Sequence, residues 1–287
     1  MPHWLLVFSP TRSTLCAMPE LPEVETTCRG IRPHLCGRRV MDWIVRQPRL
    51  RRPVDAALDA LPKQRVTAVG RRGKYLLIGF DLGTALVHLG MSGSLRLCAG
   101  STPWRTHDHL ALALEDGRHL RYHDPRRFGC WQWTTSDPAQ HPLLRHLGPE
   151  PLGGAFDGAY LKAACAGRRR SIKATLMDAR TVVGIGNIYA SEALFIAGIH
   201  PARSSARIAT QRLARLVDAV KDVLEQSIRQ GGTTLRDFLR EDGSPGYFRQ
   251  QLRVYDCAGQ PCPTCGATIR RTVLGQRSTY HCPRCQR

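Results

Sequence analysis

The chain has 287 residues, 42% of them hydrophobic, which is enough for about two ordinary globular cores and argues against a fibrous or disordered protein. Forty-two Lys and Arg against 23 Asp and Glu leave a net charge of +19, which favours a polyanionic partner such as nucleic acid over a basic or apolar one. Eleven cysteines is an odd number, and Cys16, Cys28, Cys36, Cys98, Cys130, Cys165 and Cys257 show no paired spacing, which a reducing cytosol explains most simply.

The first apolar run, Trp4 to Phe8, has no basic segment before it and is too short for a secretory leader or a membrane span. Next comes Met18-Pro19-Glu20-Leu21-Pro22-Glu23-Val24-Glu25, which reads as the start of an enzyme although seventeen residues precede it. A proline that begins a chain is a free secondary amine, and an α-amino group has a pKa of roughly 7.7 to 8, so it can act as a nucleophile near neutrality. Within a chain the same nitrogen is a planar amide without an available lone pair. Residues 1–17 therefore read as a start codon placed too early, with a leader removed by processing as the second explanation.

Leu21, Val24, Cys28 and Ile31 recur at i, i+3, i+7 and i+10, and Pro22 suits a first turn, so a helix is expected whose apolar face packs on a sheet while its start projects into a cleft. Glu20 and Glu23, one turn apart, can reach the same cleft. A helix start lowers carboxylate pKa values, so an acid role for Glu20 requires burial to outweigh the dipole; without a free Pro19, both glutamates read as helix-stabilising charges.

From Val66 to Thr134 the pattern is strand-like, with alternation over His109–Leu114 and a hairpin signal at Glu115-Asp116-Gly117, which predicts a β-rich domain over 18–148. Lys74 opens an apolar strand after Gly73, and by itself reads as a solvated hairpin lysine. Met91, Arg126 and Phe128 lie in loops rich in glycine; a lone Met or Phe is ordinarily core, and the loop setting weakens that assignment. The Pro and Gly cluster Gly148–Gly154 predicts a linker over 149–157, with a second domain beginning near Phe156.

Over Ala159–Gln230 the spacing is helical. The clearest case is Leu213, Leu216, Val217, Val220, Leu224 and Ile228, closed by Gly231 and Gly232. Gly184-Ile185-Gly186-Asn187 reads as a tight turn into a helix whose amides could face a phosphate, or as simple capping by Asn187. Arg236–Tyr247, polar with Gly243, Pro245 and Gly246, reads as a mobile loop or an ordinary surface turn, and the helical domain is expected over 158–250.

The tail over 251–287 carries Cys262 and Cys265, then sixteen residues, then Cys282 and Cys285. Two such knuckles chelate one tetrahedral Zn²⁺ with no open position, hence a structural ion; two disulfides or a redox pair are the competing explanations. Arg270, Arg271, Arg277 and Tyr280 lie between the pairs, where a hairpin would press guanidinium groups on phosphates.

PELPEVE, KYLL, HLGMSGSL, DPRRFG, VVGIGNIYASE, QGGTTL and the zinc-finger pattern occur here in one order, and from Met18 to Arg287 the chain resembles the bacterial formamidopyrimidine-DNA glycosylase family. The resemblance implies an α+β multidomain fold: an N-terminal β-sandwich-like domain with an N-terminal helix, a C-terminal helical domain with a helix-two-turns-helix motif, and a zinc-finger hairpin. It implies a monomeric, cytoplasmic base-excision-repair enzyme working at the nucleoid, with no membrane association, one structural Zn²⁺ and no catalytic metal or organic cofactor. Its partner is double-stranded DNA carrying oxidised bases or abasic sites. Both glycosylase and lyase activity are implied, directed at 8-oxoguanine and formamidopyrimidines, with β,δ-elimination of the strand.

The resemblance assigns Pro19 as the Schiff-base nucleophile, Glu20 as the acid, Lys74 as the bridge between damaged base and backbone, and Arg277 as the grip on the phosphate beside the extruded nucleotide. It gives Glu23 a supporting polar role. Met91, Arg126 and Phe128 would fill the gap left by the extruded nucleotide, with Arg126 on the orphaned cytosine, while His88, Lys173 and Asn187 would meet phosphates. Two rivals stand: an endonuclease VIII-like enzyme for oxidised pyrimidines, disfavoured by Leu21 and by the trio Met91, Arg126 and Phe128, and a non-catalytic zinc-finger DNA-binding protein in which residues 1–17 block Pro19.

Overall fold

The computed structural model describes residues 19–231 and 252–287. The chain enters helix α1 (Leu21–Leu35) directly from Pro19 and Glu20, with Pro22 in the first turn and Leu21, Val24, Cys28 and Ile31 all buried, as their spacing predicts. Eight strands follow: β1 (Val40–Val45), β2 (Val66–Arg72), β3 (Tyr75–Phe80), β4 (Gly83–His88), β5 (Ser94–Ala99), β6 (Asp108–Leu114), β7 (Arg118–His123) and β8 (Cys130–Thr134). They form two antiparallel four-stranded sheets, ordered β1-β6-β7-β5 and β2-β3-β4-β8, around a core that includes Trp43, Leu76, Ile78, Leu112, Tyr122 and Trp131. Strand β1 lies outside the region read as strand-like. Its alternation is broken by a register shift between Val40 and Asp42, which hides a period of two. The β6–β7 turn falls at the expected Glu115–Gly117, where Gly117 has φ +80°.

The second unit holds α2 (Gly158–Cys165), α3 (Ile172–Leu176), α4 (Asn187–Ile196) and α5 (Thr210–Gly231) around Phe156, Leu161, Ile172, Leu194 and Leu216. All six apolar residues expected on one face of α5 are buried, each contributing at most about 1.5 to 3 kcal/mol. Gly231 is the last described residue of this segment and is still helical. A Cβ there would lie 2.5 Å from Thr26 Oγ1, so its absence lets α5 approach α1. Gly232 and the segment Arg236–Tyr247 lie outside the described residues.

The predicted linker is not a bare spacer. Glu150 pairs with Arg71 at 2.7 Å and Arg72 at 2.9 Å and accepts from Gly73 N, while Leu152 packs on the helical core. In the tail, β9 (Arg270–Leu274) and β10 (Arg277–His281) form an antiparallel hairpin. Phe195 of α4 packs into its small core with Val254, Ile269 and Tyr280. The buried Glu192 carboxylate of α4 accepts from the amides of Arg253, Val254 and Tyr255 at 2.8–2.9 Å, anchoring the finger to the helical unit. No helix among the described residues is long and apolar enough to cross a membrane.

Candidate active site

Pro19 is buried, and the next side chain, Glu20, is only 3% exposed. The Glu20 carboxylate reaches across to the start of α4. Oε2 accepts from Gly186 N at 2.6 Å, Oε1 from Ile188 N at 2.9 Å, and Leu21 N donates to Gly184 O at 3.0 Å. The group seated on this helix start is therefore the Glu20 carboxyl, so these amides are not turned to a phosphate, and the cap residue is Gly186 rather than Asn187. A Cβ at Gly186 would overlap the Glu20 carboxyl group, so glycine there leaves room for the carboxyl to sit on the helix start. Gly184, at φ +82°, likewise leaves room for Leu21.

Burial pushes the Glu20 carboxyl above its ordinary range. The Lys74 ammonium and the amides of Ile188 and Gly186 pull it down, the Glu23 charge pushes it up, and burial prevails. Glu23 turns back on the chain, Oε2 accepting from Glu20 N at 2.8 Å while Oε1 accepts from Tyr189 OH at 2.6 Å. Tyr189 OH in turn shares a 2.7 Å bond with Ser227 Oγ of α5, so α1, α4 and α5 meet at one polar chain beneath Pro19. Lys74 follows Gly73 in the β2–β3 turn, where Gly73 has φ +56° and its amide is held by Glu150 at 2.7 Å. That turn is tied to α1 as well, because Arg71 bonds Glu25 at 2.9 Å.

Lys173 and Asn187 converge on the finger. Lys173 Nζ donates to Thr279 Oγ1 at 2.7 Å and Ser278 O at 3.2 Å, and Asn187 Nδ2 donates to Ser278 O at 3.0 Å, so both hold the strand that begins with the exposed Arg277. Burial lowers Lys173 to about 8, with the Glu20 charge opposing and Arg277 assisting. His88 accepts from Gly90 N at Nδ1, and burial with the Lys74 and Arg51 charges lowers it to about 4, leaving a neutral ring whose Nε2 is the one to donate. It lines a cleft of about 140 Å³ with Arg51, Arg52, Tyr75 and Phe128.

Met91, Arg126 and Phe128 share one surface. Phe128 is 41% exposed, and the Arg126 guanidinium lies 4.8 Å from its ring centroid. The two loops touch through backbone at Gly90, where a Cβ would strike Phe128 and Gly129.

The four finger cysteines bring their sulfur atoms within 4.8 Å of one another, with Cys262–Cys285 at 3.8 Å and Cys265–Cys282 at 3.5 Å. Sulfurs on a tetrahedron about 2.3 Å from its centre sit at nearly this spacing, too long for disulfides, so the donor set fits one structural Zn²⁺. Neighbouring thiols push the Cys285 thiol upward, a cost that a divalent cation at the centre reverses.

Sequence reasoning missed Tyr189, Glu192 and Asp124. A carboxylate in the otherwise apolar run of α4 was the available signal for Glu192, since such a group is buried only with partners.

Models of the formamidopyrimidine-DNA glycosylase N-terminal domain, of the same enzyme's H2TH domain, and of a zinc finger found in FPG and IleRS match residues 18–131, 147–239 and 259–287. The formamidopyrimidine-DNA glycosylase of Methylococcus capsulatus is 60% identical over 271 residues, covering 94% of this chain and all of the relative. That of Nitrosococcus oceani is 55% identical over 270 residues at the same coverage. Among solved structures, MutM (Fpg) of Thermus thermophilus is 40% identical with TM-score 0.81, covering 93% of this chain and 98% of that one. Lactococcus lactis Fpg bound to DNA containing an AP site is 29% identical with TM-score 0.83, covering 93% and 99%. With three models matched in order and relatives spanned from end to end, the chain belongs to the formamidopyrimidine-DNA glycosylase family.

Proposed function

We propose that this DNA glycosylase of base excision repair removes oxidised purines, chiefly 8-oxoguanine opposite cytosine and formamidopyrimidines, by covalent catalysis at the amine of Pro19. The Pro19 lone pair bonds C1′ of the extruded nucleotide, the glycosidic bond breaks with its electron pair on the departing base, and that base takes up the N–H proton the amine gives up, which returns the lone pair to nitrogen. The iminium forms as C1′–O4′ breaks, O4′ taking its proton from Glu20. Loss of a C2′ proton then expels the 3′ phosphate, and a second elimination expels the 5′ phosphate, leaving a one-nucleotide gap. Lys74 positions and neutralises charge beside Glu20; Arg277, Lys173 and Asn187 serve the backbone from the finger side, and His88 meets a phosphate as a neutral donor. Met91, Arg126 and Phe128 fill the space left in the duplex, with Arg126 on the orphaned cytosine. The enzyme works on double-stranded DNA in the cytoplasm.

The observation that carries this reading is the buried Glu20 carboxyl, raised in pKa beside Pro19 and seated where both domains meet. A raised pKa suits an acid that must hold its proton at neutral pH. The chemistry requires Pro19 to be the terminus, so residues 1–17 and Met18 must be absent from the active form.

Borohydride trapping on 8-oxoguanine opposite cytosine, run in parallel on chains begun at Met1 and at Met18, tests the reading. A covalent adduct at Pro19 in the Met18 form alone supports it. No adduct in either form supports a damage-binding protein instead. A wider lesion range is a second reading, because the Lactococcus lactis relative has been crystallised with DNA containing an oxidised pyrimidine; competition between lesions separates the two.

A further inference from the structure

Asp124 is fully buried, and both of its oxygens serve the two loops that carry Met91, Arg126 and Phe128. Oδ1 accepts from Ser92 Oγ at 2.8 Å; Oδ2 accepts from Tyr122 OH at 2.9 Å and from Gly129 N at 2.9 Å. Having donated its only proton to Asp124, the Ser92 hydroxyl accepts from Arg126 N at 3.3 Å. The residue next to Met91 therefore fixes the backbone of Arg126, and Asp124 fixes that residue. On the far side, the amide after Phe128 is held by the same carboxylate, while Arg127 adopts φ +55°, a conformation that a non-glycine residue keeps only when its surroundings impose it. The Asp124 main chain is pinned too, its carbonyl 2.9 Å from His109 Nε2.

We propose that Ser92 and Asp124 are positioning residues that lock the Met91 loop to the Arg126–Phe128 loop, so that wedge and base-reading guanidinium enter the duplex as one unit and selectivity for the opposite base depends on the lock. This rests on the assignment of Arg126 to the orphaned base. A guanidinium discriminates cytosine only when its donors arrive at fixed distance and angle, whereas phosphate attraction tolerates displacement. Loosening the lock should therefore reduce selectivity more than overall affinity.

The test uses the full 287-residue chain, because it reads binding and needs no free Pro19 amine. Dissociation constants are measured on duplexes carrying a tetrahydrofuran abasic analogue opposite C or opposite A, at one salt concentration. Ser92→Ala removes one hydrogen bond on each side of the hydroxyl and should cut the C-over-A preference about fivefold, the equivalent of one net bond. Ser92→Thr, which keeps the hydroxyl, should restore the preference. Asp124→Asn should lower it further, with thermal melting identifying any loss of folding in that variant.

If Ser92→Ala keeps the preference while Arg126→Ala loses it, the lock is refuted and the role of Arg126 survives. If Arg126→Ala also keeps the preference, the assignment of Arg126 falls, and the proposal with it. Failure of Ser92→Thr to restore the preference would likewise overturn the hydroxyl's part in it.

Discussion

At residue scale, the site turns on one carboxyl group and the glycine that makes room for it. Gly186→Ala would place a methyl group on the Glu20 carboxyl, so we expect excision to fall about as far as in Glu20→Gln, with a lowered melting temperature that the glutamine variant does not share. For Glu20→Gln itself, single-turnover excision should drop about 10² to 10⁴-fold, the usual range for loss of a positioned acid. The folded pKa of Glu20 lies above the ordinary 4.5, so the folded chain holds a proton that the unfolded chain has released. Stability contributed at this group therefore decreases as pH rises from about 4.5 through the raised value, and Glu20→Gln should flatten that slope in melts taken across the range. That Glu20 and Glu23 sit one turn apart at the start of α1 was legible from the sequence. What Glu20 would face was not, because its partners lie more than 160 positions away and are backbone amides, which carry no residue signature.

At the scale of elements, α1 and α5 were legible from apolar periodicity, and the β6–β7 hairpin from its turn. Strand β1 was hidden by its bulge, and the contact of Gly231 with Thr26 was not legible because it depends on how closely α5 approaches α1, which no local pattern encodes. Gly231→Val would force α5 from α1 at Thr26. We expect about 1 to 3 kcal/mol of destabilisation in chemical denaturation, together with slower excision, since Tyr189, Ser227 and Glu23 join the same helices beneath Pro19. An unchanged excision rate in a folded Gly231→Val protein would disconnect that polar chain from the chemistry.

At the scale of the molecule, three cores are stitched by polar contacts: Glu150 to the β2–β3 turn, Glu192 to the start of the tail, Lys173 and Asn187 to β10. The finger cysteines were legible from spacing alone, and the sulfur distances agree. Removing the metal with a strong chelator should unfold residues 252–287 and abolish damage-specific DNA binding, while the melt of the β-sandwich persists; circular dichroism and a binding titration read the two separately. The seat of Glu20 on α4 has a consequence for the order in which the enzyme becomes competent. Pro19 and Glu20 are made early, whereas the amides that hold the carboxyl belong to Gly186 and Ile188. During synthesis the Glu20 side chain leaves the ribosome well before the amides that seat it exist, so a nascent or prematurely terminated chain cannot form the buried carboxyl site.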